Sequence, residues 1–185
     1  MTTASIVGII VAIIVAAAVV WYFLRQHRSK RLRSRFGPEY DHAVHRYGNR
    51  PKAEEDLLAR QKRMEKIHVH PLSEPERDHF ADEWHQTQSR FVDDPPGSIH
   101  DADRLVCDVM RARGYPMADF EHRAEDLSVD HPRVVRNYRA AHDIALRLEN
   151  GEASTEDLRQ ALVYYRDLFE ELLEAHTTGA QGVRR

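Results

Sequence analysis

The chain changes character at residue 25. From Ile6 to Leu24 it runs through 19 uncharged, almost wholly apolar residues; from Arg25 onward, apolar positions recur among polar ones at helical spacing. A helix of the first length covers about 30 Å, close to one hydrocarbon core. Trp21 and Tyr22 stand at its C-terminal end, where amphipathic rings prefer the headgroup level. The pattern predicts a transmembrane helix over residues 6–24, preceded by a short outward-facing N-terminus, residues 1–5.

Proline and glycine divide the remainder into helices. Pro38 opens a short one reaching Tyr47, and Pro51 opens a longer one to Ile67. The second has few apolar positions (Ala53, Leu57, Leu58, Met64, Ile67), which predicts an exposed helical stalk over residues 36–71. HVHPL (68–72) reads as a joint. A helical bundle is predicted over residues 72–176. Ser73 and Glu76 have capping-box spacing, and Phe80, Trp84 and Phe91 make an aromatic stripe. After the turn DDPPGS, the positions Ile99, Ala102, Leu105, Val106, Val109 and Met110 share one helix face, which Gly114 closes. A short helix carries Phe120, Ala124 and Leu127. Asp130 is then placed to cap a helix from His131 to Glu149. The last helix starts near Ser154 and repeats Leu158, Ala161, Tyr165, Leu168, Leu172 and Ala175 at 3–4 spacing. The short link between the last two helices predicts an antiparallel hairpin, with Arg133, Arg136 and Arg139 beside Glu170, Glu171 and Glu174. The fold class is all-α, and the tail 177–185 is expected to be disordered.

Charge separates the chain in the same place. Residues 1–35 hold six Lys/Arg and no acid, whereas 36–185 hold 21 Lys/Arg against 30 Asp/Glu, a net of −9. The six are Arg25, Arg28, Lys30, Arg31, Arg33 and Arg35, in the juxtamembrane segment 25–35. Basic residues flank only this end of the apolar stretch, so the positive-inside rule places residues 25–185 in the cytoplasm. The same six are candidate contacts for anionic lipid headgroups. An acidic body and the lack of aromatics within the basic run argue against nucleic acid as a partner. A cleaved secretory signal is the rival reading, weakened by the uncharged MTTAS start and the long apolar run. Gly8, Ala12 and Ala16 put small residues on one face, which would let two such helices approach closely; the frequency of Ala and Gly in membrane helices is the simpler account and the favoured one.

Chemistry-bearing residues are plentiful but unassembled. Cys107 lies beside apolar Val106 and Met110, so it reads as a core residue with no activating partner. DEWH (82–85) and DFEH (119–122) share Asp-x-x-His spacing with di-iron bundles, yet both pairs point off the apolar stripe. His42/His45 and His68/His70 each supply two ligands, too few for a zinc site. No phosphate loop, nucleophile elbow or H-E-x-x-H appears. No catalytic group, metal or cofactor is assigned. The expectation is a single-pass membrane protein whose cytoplasmic helical domain binds another protein or itself; a helical enzyme or metal-dependent protein with an unrecognised site is the alternative.

The stretches RFGPEYDHAVHRYG, FVDDPPGSIHDADRLVCDVMRARGYP and DLSVDHPRVVRNYRAAH resemble an uncharacterised bacterial family with an N-terminal hydrophobic segment and a helical remainder. That resemblance implies a bacterial plasma membrane and assigns no activity.

Overall fold

A computed structural model describes residues 3–174, with side chains described from Ile13 onward except Ala18. The chain is all-helical, with eight helices and no strand among the described residues: α1 (Thr3–Phe36), α2 (Pro38–Tyr47), α3 (Arg50–Met64), α4 (Glu74–Arg90), α5 (Pro95–Ala112), α6 (Phe120–Asp130), α7 (Val135–Glu149) and α8 (Thr155–Glu174). They form two compact units, residues 1–57 and 58–185. The tail 177–185 and Ala175 lie outside the described residues.

In the first unit, α1 continues without a break from the apolar stretch through the basic run. Leu32 and Phe36 are buried, together with Tyr40 and Ala43 of α2 and Ala53 and Leu57 of α3. Gly37 (φ +49) turns the chain, and Pro38 starts α2 where its missing N–H costs nothing. The end of the basic run is thus packed through Leu32 and Phe36, with Ser29 half-buried, whereas Trp21 and Arg25 further along the same face are exposed.

The second unit contains the latter part of α3 and α4–α8. The stripes of α5 and α8 are buried at each position named above, apart from Ala175. On α4, Phe80 and Trp84 are buried and Phe91 is half-buried, and Trp84 stacks on Phe169 of α8 at 4.7 Å. At the start of α4, the Ser73 N–H and hydroxyl both donate to the Glu76 carboxylate, at 2.8 and 2.6 Å. Two contacts order α7 and α8 as an antiparallel pair, Asn137 with Asp167 and Arg147 with Asp157, and His131, just ahead of α7, meets Glu171 near the end of α8.

Three expectations need correction. The helix expected as an exposed stalk buries Ala53, Leu57, Arg60 and Met64, so it is a structural member of both units. Helix α6 runs on to Asp130, and α7 begins only at Val135. Pro132 disfavours helical geometry at His131, so His131 ends one helix and does not begin the next. In the hairpin, Arg139 pairs with Glu121 of α6 at 2.6 Å, whereas Arg133 and Arg136 are exposed; neither pairs with Glu170, Glu171 or Glu174 among the described residues.

Candidate functional site

The residues singled out for membrane contact all fall on α1. Arg25, Arg28, Lys30, Arg31, Arg33 and Arg35 are exposed. Trp21 and Tyr22 are 61% and 60% exposed, and the large apolar side chains from Ile13 to Leu24 are exposed with them. Of the small-residue face only Ala16, also exposed, is described; Gly8 and Ala12 lie outside the described side chains. Among the described residues no helix is long and apolar enough to cross a membrane. The expected span 6–24 falls partly outside them, since the side chains of 6–12 and Ala18 are not described.

The structure separates the six basic residues. The Arg25 guanidinium lies 5.2 Å from the Trp21 ring centre. Arg33 is drawn to its own unit, paired with Asp41 at 3.1 Å and 5.8 Å from the Tyr40 ring centre. Behind them is a polar knot that periodicity missed. Glu54 of α3 is buried and accepts hydrogen bonds from the hydroxyls of Tyr40, at 2.8 Å, and Ser29. Burial holds the Tyr40 phenol above its ordinary pKa. Two adjoining grooves flank this knot. One, of about 330 Å³, is lined by Trp21, Leu24, Arg25, Arg28, Pro51 and Glu54. The other, of about 370 Å³, adds Tyr22, Gln26, Ser29 and Arg50. Arg50 was not among the expected contacts; it lies 25 residues from Arg25, and only the turn between α2 and α3 brings it there.

The second unit holds two polar clusters. In one, Arg60 is fully buried and pairs with Glu125 at 3.4 Å, while Arg63 pairs with Glu125 and with Asp126 at 3.4 and 2.7 Å. Burial raises the Asp126 carboxyl despite the Arg63 guanidinium beside it. This cluster ties the end of α3 to α6. In the other, Tyr165 donates to Asp103 at 3.1 Å, and Arg123 donates to the Tyr138 hydroxyl at 3.4 Å. His142 stacks on Phe120 at 3.6 Å. Burial, then the neighbouring Asp103 charge, raises the Cys107 thiol, and burial raises both phenols. These groups are held protonated, which is the opposite of what nucleophilic attack needs.

The Asp-x-x-His pairs have local explanations. Asp119 caps α6, accepting from the His122 N–H at 3.0 Å, and its other oxygen meets His122 Nδ1 at 2.8 Å. Asp82 and His85 are both exposed. Among the described residues no group of three or more His, Cys, Asp or Glu is placed to hold a metal. Between α4 and α5 runs a charged groove of about 480 Å³, lined in part by Glu83, Arg90, Asp101, Arg104 and Asp108. No family model matches the chain, and neither the curated proteins nor the solved structures yield a match.

Proposed function

We propose that the chain is a single-pass, membrane-anchored protein of the bacterial plasma membrane, with residues 25–185 on the cytoplasmic side. The supporting observation is the apolar collar of α1. Ile13, Ile14, Val15, Val19, Val20 and Phe23 are each about half exposed or more, spread around a helix that has no polar side. A helix apolar all round needs an apolar surrounding. Trp21 and Tyr22 then sit at the headgroup level, with Arg25 about 6 Å and Arg28 about 10 Å beyond Trp21 along the axis, given a 1.5 Å rise per residue. Arg35 is about 15 Å beyond Arg25, past the reach of a screened headgroup charge. The lipid contact therefore concentrates at the start of the basic run.

Alkaline extraction tests the anchor, with the chain expected to stay in the membrane pellet. Protease treatment of inside-out vesicles tests the side, with digestion of residues 25–185 expected. Release by alkali, or protection in those vesicles, would overturn the corresponding half of the reading.

The helical body is proposed as a protein-interaction module that acts through polar surface. Large exposed apolar side chains in the second unit stand singly, as Val92 and Leu146 do, whereas the α4–α5 groove presents both carboxylates and guanidinium groups. A photo-crosslinking residue at Gln86, in that groove, is expected to trap a discrete partner; one at Glu156, on α8, is the control. Equal labelling from both positions would remove the support for this surface.

A further inference from the structure

We propose that the two adjoining grooves between α1 and the start of α3 together bind the phosphate of an anionic phospholipid, with Arg25, which lines both, Arg28 of one and Arg50 of the other as the guanidinium donors. The proposal rests on reading α1 as a membrane anchor. It replaces a diffuse attraction of six charges with a defined headgroup site, and it adds a residue from another helix.

The path of the chain creates the site. After Gly37, α2 begins beside Arg33, which pairs with Asp41. The chain then turns at Gly48 (φ +61), and α3 starts at Arg50. Pro51 lies by Trp21, Leu24, Arg25 and Arg28, and Glu54 lies by Ser29. Helix α2 has thus carried the chain back along α1, and α3 begins at the level of the interfacial aromatics. That is the depth of a phospholipid phosphate when Trp21 and Tyr22 occupy the headgroup region.

The lining suits that occupant. Guanidinium groups present paired donors that match phosphate oxygens. No ion pair among the described residues uses Arg25, Arg28 or Arg50. Arg25 is further oriented by its contact with the Trp21 face. The acid in the lining, Glu54, is buried and already engaged by the Ser29 and Tyr40 hydroxyls. Three cations against one occupied carboxylate leave the groove positive. Leu24, Pro51 and the Trp21 ring give the upper acyl segment an apolar wall.

The test is native mass spectrometry of the full chain released from mixed bilayers of phosphatidylglycerol and phosphatidylcholine. Wild type should retain phosphatidylglycerol. Arg50→Gln, and separately Arg25→Gln, should lower its retention roughly tenfold, and Arg50→Lys should lower it by a smaller factor, keeping charge but losing the fork. Arg35→Gln removes the same charge outside the groove and should leave retention within about twofold. Equal losses for Arg50→Gln and Arg35→Gln would overturn the site in favour of diffuse attraction, as would displacement of the lipid by millimolar inorganic phosphate. Alkaline extraction of the same preparations separates the two ideas: a chain that stays in the membrane but shows no Arg50 effect sinks the groove alone. A chain that alkali releases sinks the anchor and the groove together.

Discussion

The Tyr40 hydroxyl donates to the Glu54 carboxylate at 2.8 Å, which joins α2 to α3 inside the first unit. Both residues are buried, and the Ser29 hydroxyl supplies a second donor from α1. One carboxylate therefore collects hydrogen bonds from the other two helices. Tyr40→Phe should destabilise this unit by about 1.5–3 kcal/mol, the usual worth of a hydrogen bond to a charged acceptor. Glu54→Leu, which strands both hydroxyls, should cost more than Tyr40→Phe. Chemical denaturation of the chain in detergent measures both; equal stabilities would show that the knot contributes nothing.

Arg60 and Glu125 form the most enclosed ion pair described, with side-chain exposures of 0% and 8%. Glu125→Ala takes the carboxylate away from the fully buried Arg60 guanidinium and should cost about 3–5 kcal/mol, whereas after Arg60→Ala the Glu125 carboxylate keeps its 3.4 Å pair with Arg63. Replacing both at once, as Arg60→Met with Glu125→Leu, should cost less than Glu125→Ala. A double-mutant thermal unfolding series checks the order.

His142 gives the second unit an acid-side weakness. Burial against Phe120 lowers its pKa below the ordinary imidazole value. The unfolded chain then binds the proton more readily than the folded one, so stability declines as pH falls below about 6.5 and through the folded pKa. His142→Gln should flatten that decline. Melting temperatures between pH 7.5 and 5 measure it, and parallel curves for the two proteins would refute it.

Gly114 (φ +86) ends α5 in a conformation that other residues rarely adopt, and an added Cβ would lie 2.8 Å from the His68 carbonyl oxygen. Gly114→Ala should cost about 2–3 kcal/mol, because conformational strain and a backbone clash combine. At Gly151 (φ +72) nothing lies within 4 Å of an added Cβ, so Gly151→Ala should cost only about 1 kcal/mol. Similar losses at both sites would rule out the clash as the cause.

The sequence shows most clearly those elements whose buried faces are apolar. Helices α5 and α8 are of this kind, because each position on their inner stripe carries a side chain that water rejects. Helix α3 reads as an exposed stalk for the converse reason. Its inner line includes Glu54 and Arg60, and burial of Arg60 depends on Glu125, which lies 65 residues away. Ser29 of α1, which bonds Glu54 from 25 residues away, breaks the apolar line of Leu32 and Phe36 in the same way. Arg139 found Glu121 of α6 in place of the acids of α8 because pairing by register considers two helices, and a third supplied the nearer carboxylate. Polar residues that are buried through distant partners leave no periodic trace.

The unbroken course of α1 through residues 13–36 has a mechanical consequence. No glycine or proline interrupts that stretch, and the first flexible point is Gly37. A helix of this kind resists bending and twisting, so the azimuth of its N-terminal half is locked to Leu32 and Phe36. If α1 is the membrane anchor proposed above, lipid thickness or a neighbouring helix that rolled or tilted its embedded end would swing α2 and the start of α3 with it. The first unit would then act as a lever with its fulcrum at the headgroup plane, delivering bilayer strain as an angular displacement.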